Sequence, residues 1–308
     1  MSNSNKKPIM IGFGARKGGE GKSFGAVNIA GELVSRGNRV LLIVCDQQED
    51  VANRYLIEQP GSVKLYEEDN HVSLSDVLTG QASIKDAIYQ TREYPLYSWE
   101  YDSKGRPRMD LRGRRKRKRL FGQTIHLDII AAGSQIYDID VYLEENDEGE
   151  VKPRYHLFEE VLEDVADLYD YVIFDIPPSD QNISMCAYAA SDYLLTPYTG
   201  IDSPKSVEMM ADTVEMLNSI PDVGHRIELL IYVNKHYANS SLNEALLDSA
   251  NAAFSDIMIK HPIRYSREAE YAKADGVPLC CYPKTNVGED VSFMADELLE
   301  RIRERQGR

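Results

Sequence analysis

The stretch Pro8-Ile9-Met10-Ile11-Gly12-Phe13, followed by Gly14-Ala15-Arg16-Lys17-Gly18-Gly19-Glu20-Gly21-Lys22-Ser23, constrains this chain more than any other. A short apolar run with β-branched residues, ended by glycines, reads as a buried strand. Residues 22–36 then place Phe24, Val27, Ala30, Leu33 and Val34 at helical spacing, and Gly37 follows as a stop signal. Strand, glycine-rich turn and helix together make a phosphate cradle. Successive backbone N–H groups converge on the anion, and the helix N-terminus adds a favourable dipole. Gly18, Gly19 and Gly21 stand where the backbone must approach closely or take a positive φ. Lys22 is expected to reach the β- and γ-phosphates, and Ser23 to ligate Mg²⁺. The chain is therefore expected to bind ATP with Mg²⁺ at residues 16–23.

The remaining pattern alternates strand and helix. Strands are expected over residues 39–45, 125–130, 171–174, 192–197, 227–233 and 277–282. Helices are expected over 51–58, 74–78, 84–88, 155–169, 203–217, 241–254, 266–274 and 287–303. Continuously apolar strands alternating with helices predict an α/β fold: a doubly wound, mostly parallel sheet with helices on both faces. At 308 residues, the chain is read as a single domain over residues 1–308. Residues 94–123 lack sustained periodicity and are read as a basic insertion within that domain.

Charge is unevenly spread. The formal net charge is −15, which argues against nucleic-acid binding by the chain as a whole. Yet residues 104–119 hold ten Lys or Arg and one acid, Asp110. That stretch carries +9 and leaves −24 to the rest, seven of the negative charges lying in the acidic block at residues 138–150. Cys45, Cys186, Cys280 and Cys281 fit neither zinc spacing nor a disulfide framework, so they read as small buried hydrophobes in a reducing compartment. The polar N-terminus lacks the apolar region of a signal peptide, and no stretch has the length of a membrane span.

The phosphate loop departs from the usual pattern in one way. Arg16 occupies the place of its first glycine, and Lys17 follows. Lys17-Gly18-Gly19-Glu20-Gly21-Lys22-Ser23 resembles the deviant Walker A loop of the ParA/MinD family. Several further segments carry the same resemblance. In Val44-Cys45-Asp46-Gln47-Gln48, Asp46 and Gln48 match the family's second aspartate and its glutamine, whereas Val44 and Gln47 replace the first aspartate and the proline. Tyr171-Val172-Ile173-Phe174-Asp175-Ile176-Pro177-Pro178-Ser179 is similar to the Walker B segment, and residues 189–197 to the strand that follows it. Ile231-Tyr232-Val233-Asn234-Lys235 and His261-Pro262-Ile263-Arg264, with Arg267-Glu268-Ala269 and Gly276-Val277-Pro278, resemble blocks near the base and the C-terminus.

The resemblance implies roles. Lys17 would reach across an ATP-bound homodimer to the partner's phosphates. Lys22 would neutralise phosphate in cis, and Asp46 would orient the attacking water. Gly18, Gly19, Glu20, Gly21, Lys22, Ser23 and Phe24 would wrap the nucleotide, with Asn234 and Pro262 near its base. Ser23, and Asp175 through water, would hold Mg²⁺. Arg264 and Arg267 fall where family members contact DNA. The implied activity is a slow ATPase, stimulated by a ParB-like adaptor. It binds DNA without sequence preference in the cytoplasm, on the nucleoid, and moves plasmids, chromosomes or other cargo. Val44 in place of an aspartate puts the hydrolysis rate in question.

The basic run, including Arg114, Arg115, Lys116, Arg117 and Lys118, admits two readings. It contacts DNA phosphates, or it is a solvated loop that pairs with the acidic block. Two other functions remain open. A biosynthetic ligase of the same superfamily would lack the lysine at position 17. A nucleotide-gated binding module with little hydrolysis would accommodate Val44. An autophosphorylating tyrosine kinase would want tyrosines near the C-terminus, but the last is Tyr282. An iron–sulfur reductase would need suitably placed cluster cysteines. The final helix carries no bulky apolar residue beyond Ile302, so a membrane-lying role is not expected.

Overall fold

The computed structural model describes residues 7–48, 50–57, 71–104, 106, 108–111, 116–138, 140–145, 151–178, 181–237, 240–283 and 285–307. The chain begins with β1 (Ile9–Phe13), α1 (Lys22–Ser35), β2 (Val40–Val44), α2 (Asp50–Ala52), α3 (Leu74–Leu78) and β3 (Tyr89–Gln90). There follow β4 (Tyr94–Trp99), β5 (Arg117–Ile125), β6 (Asp128–Ile130), β7 (Leu143–Glu145), β8 (Val151–Pro153), α4 (Leu157–Leu162) and β9 (Tyr171–Asp175). The last part comprises α5 (Asn182–Ala190), β10 (Tyr193–Tyr198), α6 (Ser203–Ser219), β11 (Glu228–Val233), α7 (Ser241–Phe254), β12 (Met258–Ile259), α8 (Arg267–Ala274) and α9 (Val287–Arg305).

Eight strands form one sheet in the order β12-β11-β10-β1-β9-β2-β6-β3. Every pairing in it is parallel except β3 on β6. Strands β1, β2, β9 and β10 are buried along their whole length, which is why they read as unbroken apolar runs. One face packs against α1 and α9, through residues such as Ile29, Leu33, Met294 and Leu298. The other packs against α3 to α6, through Leu74, Phe158, Cys186 and Leu217. This is the doubly wound, mostly parallel α/β arrangement expected from the sequence.

Four local expectations are corrected. Within residues 94–123, the ends of the segment are regular: β4 and β5 pair as an antiparallel ribbon, with a bulge between Pro95 and Tyr97. The strand expected at 125–130 is two elements, Ile125 ending the ribbon and Asp128–Ile130 joining the main sheet. Residues 277–282 form no strand but a 3-10 turn at Leu279–Cys281. Their apolar character comes from burial beneath α1 and α9, and Arg117 takes the carbonyls that a neighbouring strand would have used. The helix expected at 155–169 is α4 followed by a 3-10 segment, Glu163–Leu168.

All four cysteines are free and buried. Among the described residues, no helix is long and apolar enough to cross a membrane.

Candidate nucleotide site

Three parallel strands set the site. In their register, Phe13 at the end of β1 lies beside Asp175 at the end of β9, and Asp175 lies beside Val44 at the end of β2. Everything that leaves these strand ends meets in one crevice, the usual ligand position of an open α/β sheet. The loop after β1 is the phosphate cradle, and α1 starts at its end. The residue after β2's neighbour Cys45 is Asp46. A cleft of about 800 Å³ opens there, lined by Gly18, Gly19, Gly21, Lys22, Ser23 and Phe24, and across from them by Asp46, Pro177, Asn234 and Arg264.

The cradle needs its glycines at two points. Gly19 has φ 76° and Gly21 φ 102°, both left-handed. A Cβ on Gly21 would also collide with the Asn234 amide. Three residues at and just past the end of β11 hold carbonyls of the loop. The Tyr232 hydroxyl donates to the Gly21 carbonyl at 3.0 Å, Asn234 Nδ2 to the Glu20 carbonyl at 2.9 Å, and Lys235 Nζ to the Gly19 carbonyl at 2.9 Å. These three bonds engage successive carbonyls of the loop and leave its N–H groups for an anion. Asn234 Oδ1 accepts from the Lys235 N–H as well. Its amide is thus engaged at both atoms, Nδ2 on the loop and Oδ1 on its own chain, while the side chain still lines the cleft.

Charge is concentrated at the floor. Lys22 is buried, and desolvation lowers its pKa against the pull of Asp175, Asp46 and Glu20. Burial pushes the Asp175 carboxyl up to about 7, against a hydrogen bond from Ser23 and the charge of Lys22. A hydroxyl and one carboxylate in hydrogen-bond contact suit Mg²⁺, which keeps waters and takes phosphate oxygens instead of an all-protein cage. Left-handed glycines, a buried lysine and this pair together fit a nucleoside triphosphate with its metal. Glu20 is also buried, its pKa raised by desolvation, and its Oε2 finds no partner among the described residues.

Asp46 is held in place by a residue that motif reading missed. The Tyr137 hydroxyl donates to Asp46 Oδ1 at 3.2 Å and accepts from the Gln47 N–H at 3.2 Å, while the Gln48 N–H donates to the same carboxylate oxygen at 3.0 Å. Burial pushes the Tyr137 hydroxyl up to about 12. Tyr137 lies 91 residues from Asp46 along the chain, outside any local motif.

The other expected residues are dispersed. Lys17 points out of its own cleft and pairs with Asp202 at 2.7 Å, both side chains more than half exposed. Pro262 does not line the cleft. Arg264 does, but its guanidinium is fixed by the fully buried Asp290, Nε to Oδ2 at 2.6 Å and Nη2 to Oδ1 at 2.5 Å. Arg267 is exposed at the first turn of α8. Lys116 and Lys118 are exposed on the ribbon, whereas Arg117 is turned inward. Arg114, Arg115 and Ser179 lie outside the described residues.

A glycine-rich loop between a central parallel strand and its helix, closed by a buried lysine and a strand-end aspartate, defines a phosphate-loop nucleotide-binding protein. Residues 9–97 and 116–222 match the family model AAA_31, described as an AAA domain. The chain belongs to the ParA/MinD family of P-loop NTPases. It is 23% identical over 304 residues to the chromosome partitioning protein ParA of Caulobacter vibrioides, spanning 97% of each chain. Its fold is similar to a putative plasmid partition protein from Borrelia burgdorferi B31 bound to AMPPNP, with a TM-score of 0.68 at 18% identity, covering 96% of this chain and 100% of that one. The same fold occurs in cobyrinic acid a,c-diamide synthase from Mycobacterium smegmatis with an ATP analog and magnesium, with a TM-score of 0.66 at 16% identity over 98% and 97% of the two chains.

Proposed function

We propose that this chain is a partition-type ATPase whose Mg²⁺-ATP-bound form is a homodimer that binds DNA without sequence preference. Lys17 carries the reading. It stands one residue before Gly18, outside its own cleft, and among the described residues an exposed ion pair alone holds its ammonium. A lysine so placed is free to leave Asp202 for a phosphate across a two-fold interface. ATP then favours the dimer through contacts that ADP cannot make, which is a population shift. Hydrolysis releases it.

Within each cleft, Lys22 and the loop N–H groups would neutralise phosphate charge, and Ser23 with Asp175 would hold the metal. Mg²⁺, when bound, supplies charge neutralisation between the phosphates. Asp46, steered by Tyr137 and the Gln48 N–H, would orient water. Val44 is fully buried beside Asp175, so the family's first carboxylate has no counterpart there. Basal turnover is accordingly slow, and a ParB-like adaptor would raise it. On this reading the working protein sits on the nucleoid and positions a plasmid, chromosome or other cargo.

Val44 also favours a second reading, a nucleotide-gated binding protein that scarcely hydrolyses. Phosphate release separates the two. With Mg²⁺-ATP and DNA, the partition reading expects release that Asp46→Ala abolishes while nucleotide binding survives. Release from wild type no faster than from Asp46→Ala would support the gated module instead. A ligase would instead use its ATP on a carboxylate substrate, and Lys17 weighs against it.

A further inference from the structure

The basic ribbon sorts its charges into two groups. Arg117 faces the body. Its Nη1 donates to the carbonyls of Leu279 at 3.0 Å and Tyr282 at 3.2 Å, its Nη2 donates to the Cys280 carbonyl, and the guanidinium sits over Trp99 at 4.6 Å. Burial lowers its pKa, and carbonyl dipoles take the place of an acid partner. Leu279 lines the nucleotide cleft, and its N–H donates to Asn28 of α1 at 2.8 Å. The root of the ribbon is therefore fastened to the cleft wall.

Lys116, Lys118 and Arg119 face solvent, and none has a carboxylate within 4 Å among the described residues. Phe121 is 84% exposed, with the Arg119 guanidinium 5.9 Å from its ring. The acidic block was one possible mate. Its described part packs on the opposite side of the sheet, where Tyr142 joins the cluster of Leu157 and Phe158. Tyr94 and Ile125, at the ribbon root, belong to the cluster of α1 and α9. On the β7–β8 pair, Lys152 meets Glu144 across the strands and also reaches Asp222. The ribbon thus presents three solvent-facing cations with no carboxylate partner among the described residues, an edge suited to a polyanion. Duplex DNA supplies phosphates at close, regular spacing, and its major groove, about 12 Å wide, admits a two-stranded ribbon.

We propose that the β4–β5 ribbon is a DNA-contact arm: Lys116, Lys118 and Arg119 meet backbone phosphates, and Arg117 is the positioning residue that roots the arm on the nucleotide cleft. The choice of DNA as partner rests on the partition reading above. The charge separation does not.

The test is anisotropy of a labelled mixed-sequence duplex with Mg²⁺-ATP, titrated over salt. The probe is DNA alone, and the protein is the full chain. Wild type is expected to lose affinity linearly in log salt. Replacing Lys116, Lys118 and Arg119 together by Ala should flatten the slope by about 2 to 3 and weaken binding at least ~10-fold. Arg117→Met should weaken binding while keeping the slope within about 0.5, because Arg117 touches no phosphate. A triple variant with wild-type slope and affinity overturns the arm. Arg117→Met flattening the slope as far as the triple variant overturns the anchor. Tighter binding to a matched RNA duplex than to DNA overturns the assigned partner, as does wild type ignoring DNA altogether. Mass and phosphate release of the same samples without DNA report on the ATP switch separately, so either idea can fail alone.

Discussion

Lys235 Nζ donates to the Gly19 carbonyl at 2.9 Å from a backbone held at φ 56°. It is the one non-glycine residue with positive φ among the described residues. Left-handed backbone costs a residue with a Cβ about 1 kcal/mol, so the surrounding structure must favour it. Here the left-handed residue sets its ammonium on the phosphate loop at the rim of the cleft, next to Asn234 and Tyr232, which hold the following two carbonyls.

Lys235→Gly separates clamp from strain. Glycine accepts φ 56° freely but cannot hold the Gly19 carbonyl. The melting temperature is expected to stay within about 3 °C of wild type. Loss of one charged hydrogen bond should weaken Mg²⁺-ATP binding about 10-fold. A fluorescent-nucleotide titration checks this, and unchanged affinity would remove the clamp from the account.

Tyr137→Phe keeps the ring and deletes the hydroxyl that joins Asp46 to the Gln47 N–H. Hydrolysis should fall by about 10-fold, because the change removes two hydrogen bonds, one of them to a carboxylate. ATP affinity should hold. Equal losses in affinity and turnover would make Tyr137 a packing residue only.

Asp290 governs acid stability around α9. Burial opposes its charge, but hydrogen bonds from His261 and from the Arg264 side chain and N–H outweigh it and hold its pKa below the usual carboxylate value. A depressed acid stabilises the fold above its unfolded pKa of about 3.9 and loses that stabilisation as pH falls through the folded value. Asp290→Asn should therefore cost about 3 kcal/mol at neutral pH. The gap from wild type should close as denaturation is repeated at progressively lower pH below the unfolded value. A gap that stays constant with pH would show that packing, and not charge, is lost.

Much of the fold was legible because burial leaves a simple trace. Strands β1, β2, β9 and β10 are covered on both faces and read as apolar runs ended by glycine or aspartate. Lys22 and Ser23 open α1 after the glycine turn, Asp175 ends β9 and Asp46 lies just past β2, so each sits where a buried run gives way to polar residues. Leu279–Cys281 misled for the same reason. A buried turn and a buried strand have the same composition, and only the fate of the carbonyls distinguishes them. The ribbon was hidden by Pro95 and its bulge, which break the period of two in Tyr94-Pro95-Leu96-Tyr97-Ser98-Trp99. Tyr137, Asp202 and Arg117 act across long separations, and a single sequence carries no signal for such pairs. Asn234-Lys235 after an apolar strand was the one visible hint of the clamp.

The Lys17–Asp202 ion pair is exposed on both sides. Asp202→Ala should free Lys17 and lower the ATP concentration needed for dimerisation by no more than a few-fold, as for any surface pair. Light scattering across an ATP series reads this. A dimer that needs more ATP would mean that Asp202 belongs to the interface.

The cross-dimer role of Lys17 is tested most directly by molar mass in solution with saturating Mg²⁺-ATP. Asp46→Ala should accumulate as a dimer, and Lys17→Ala, although it still binds nucleotide, should remain a monomer. A Lys17→Ala protein that dimerises and hydrolyses ATP like wild type would contradict the account.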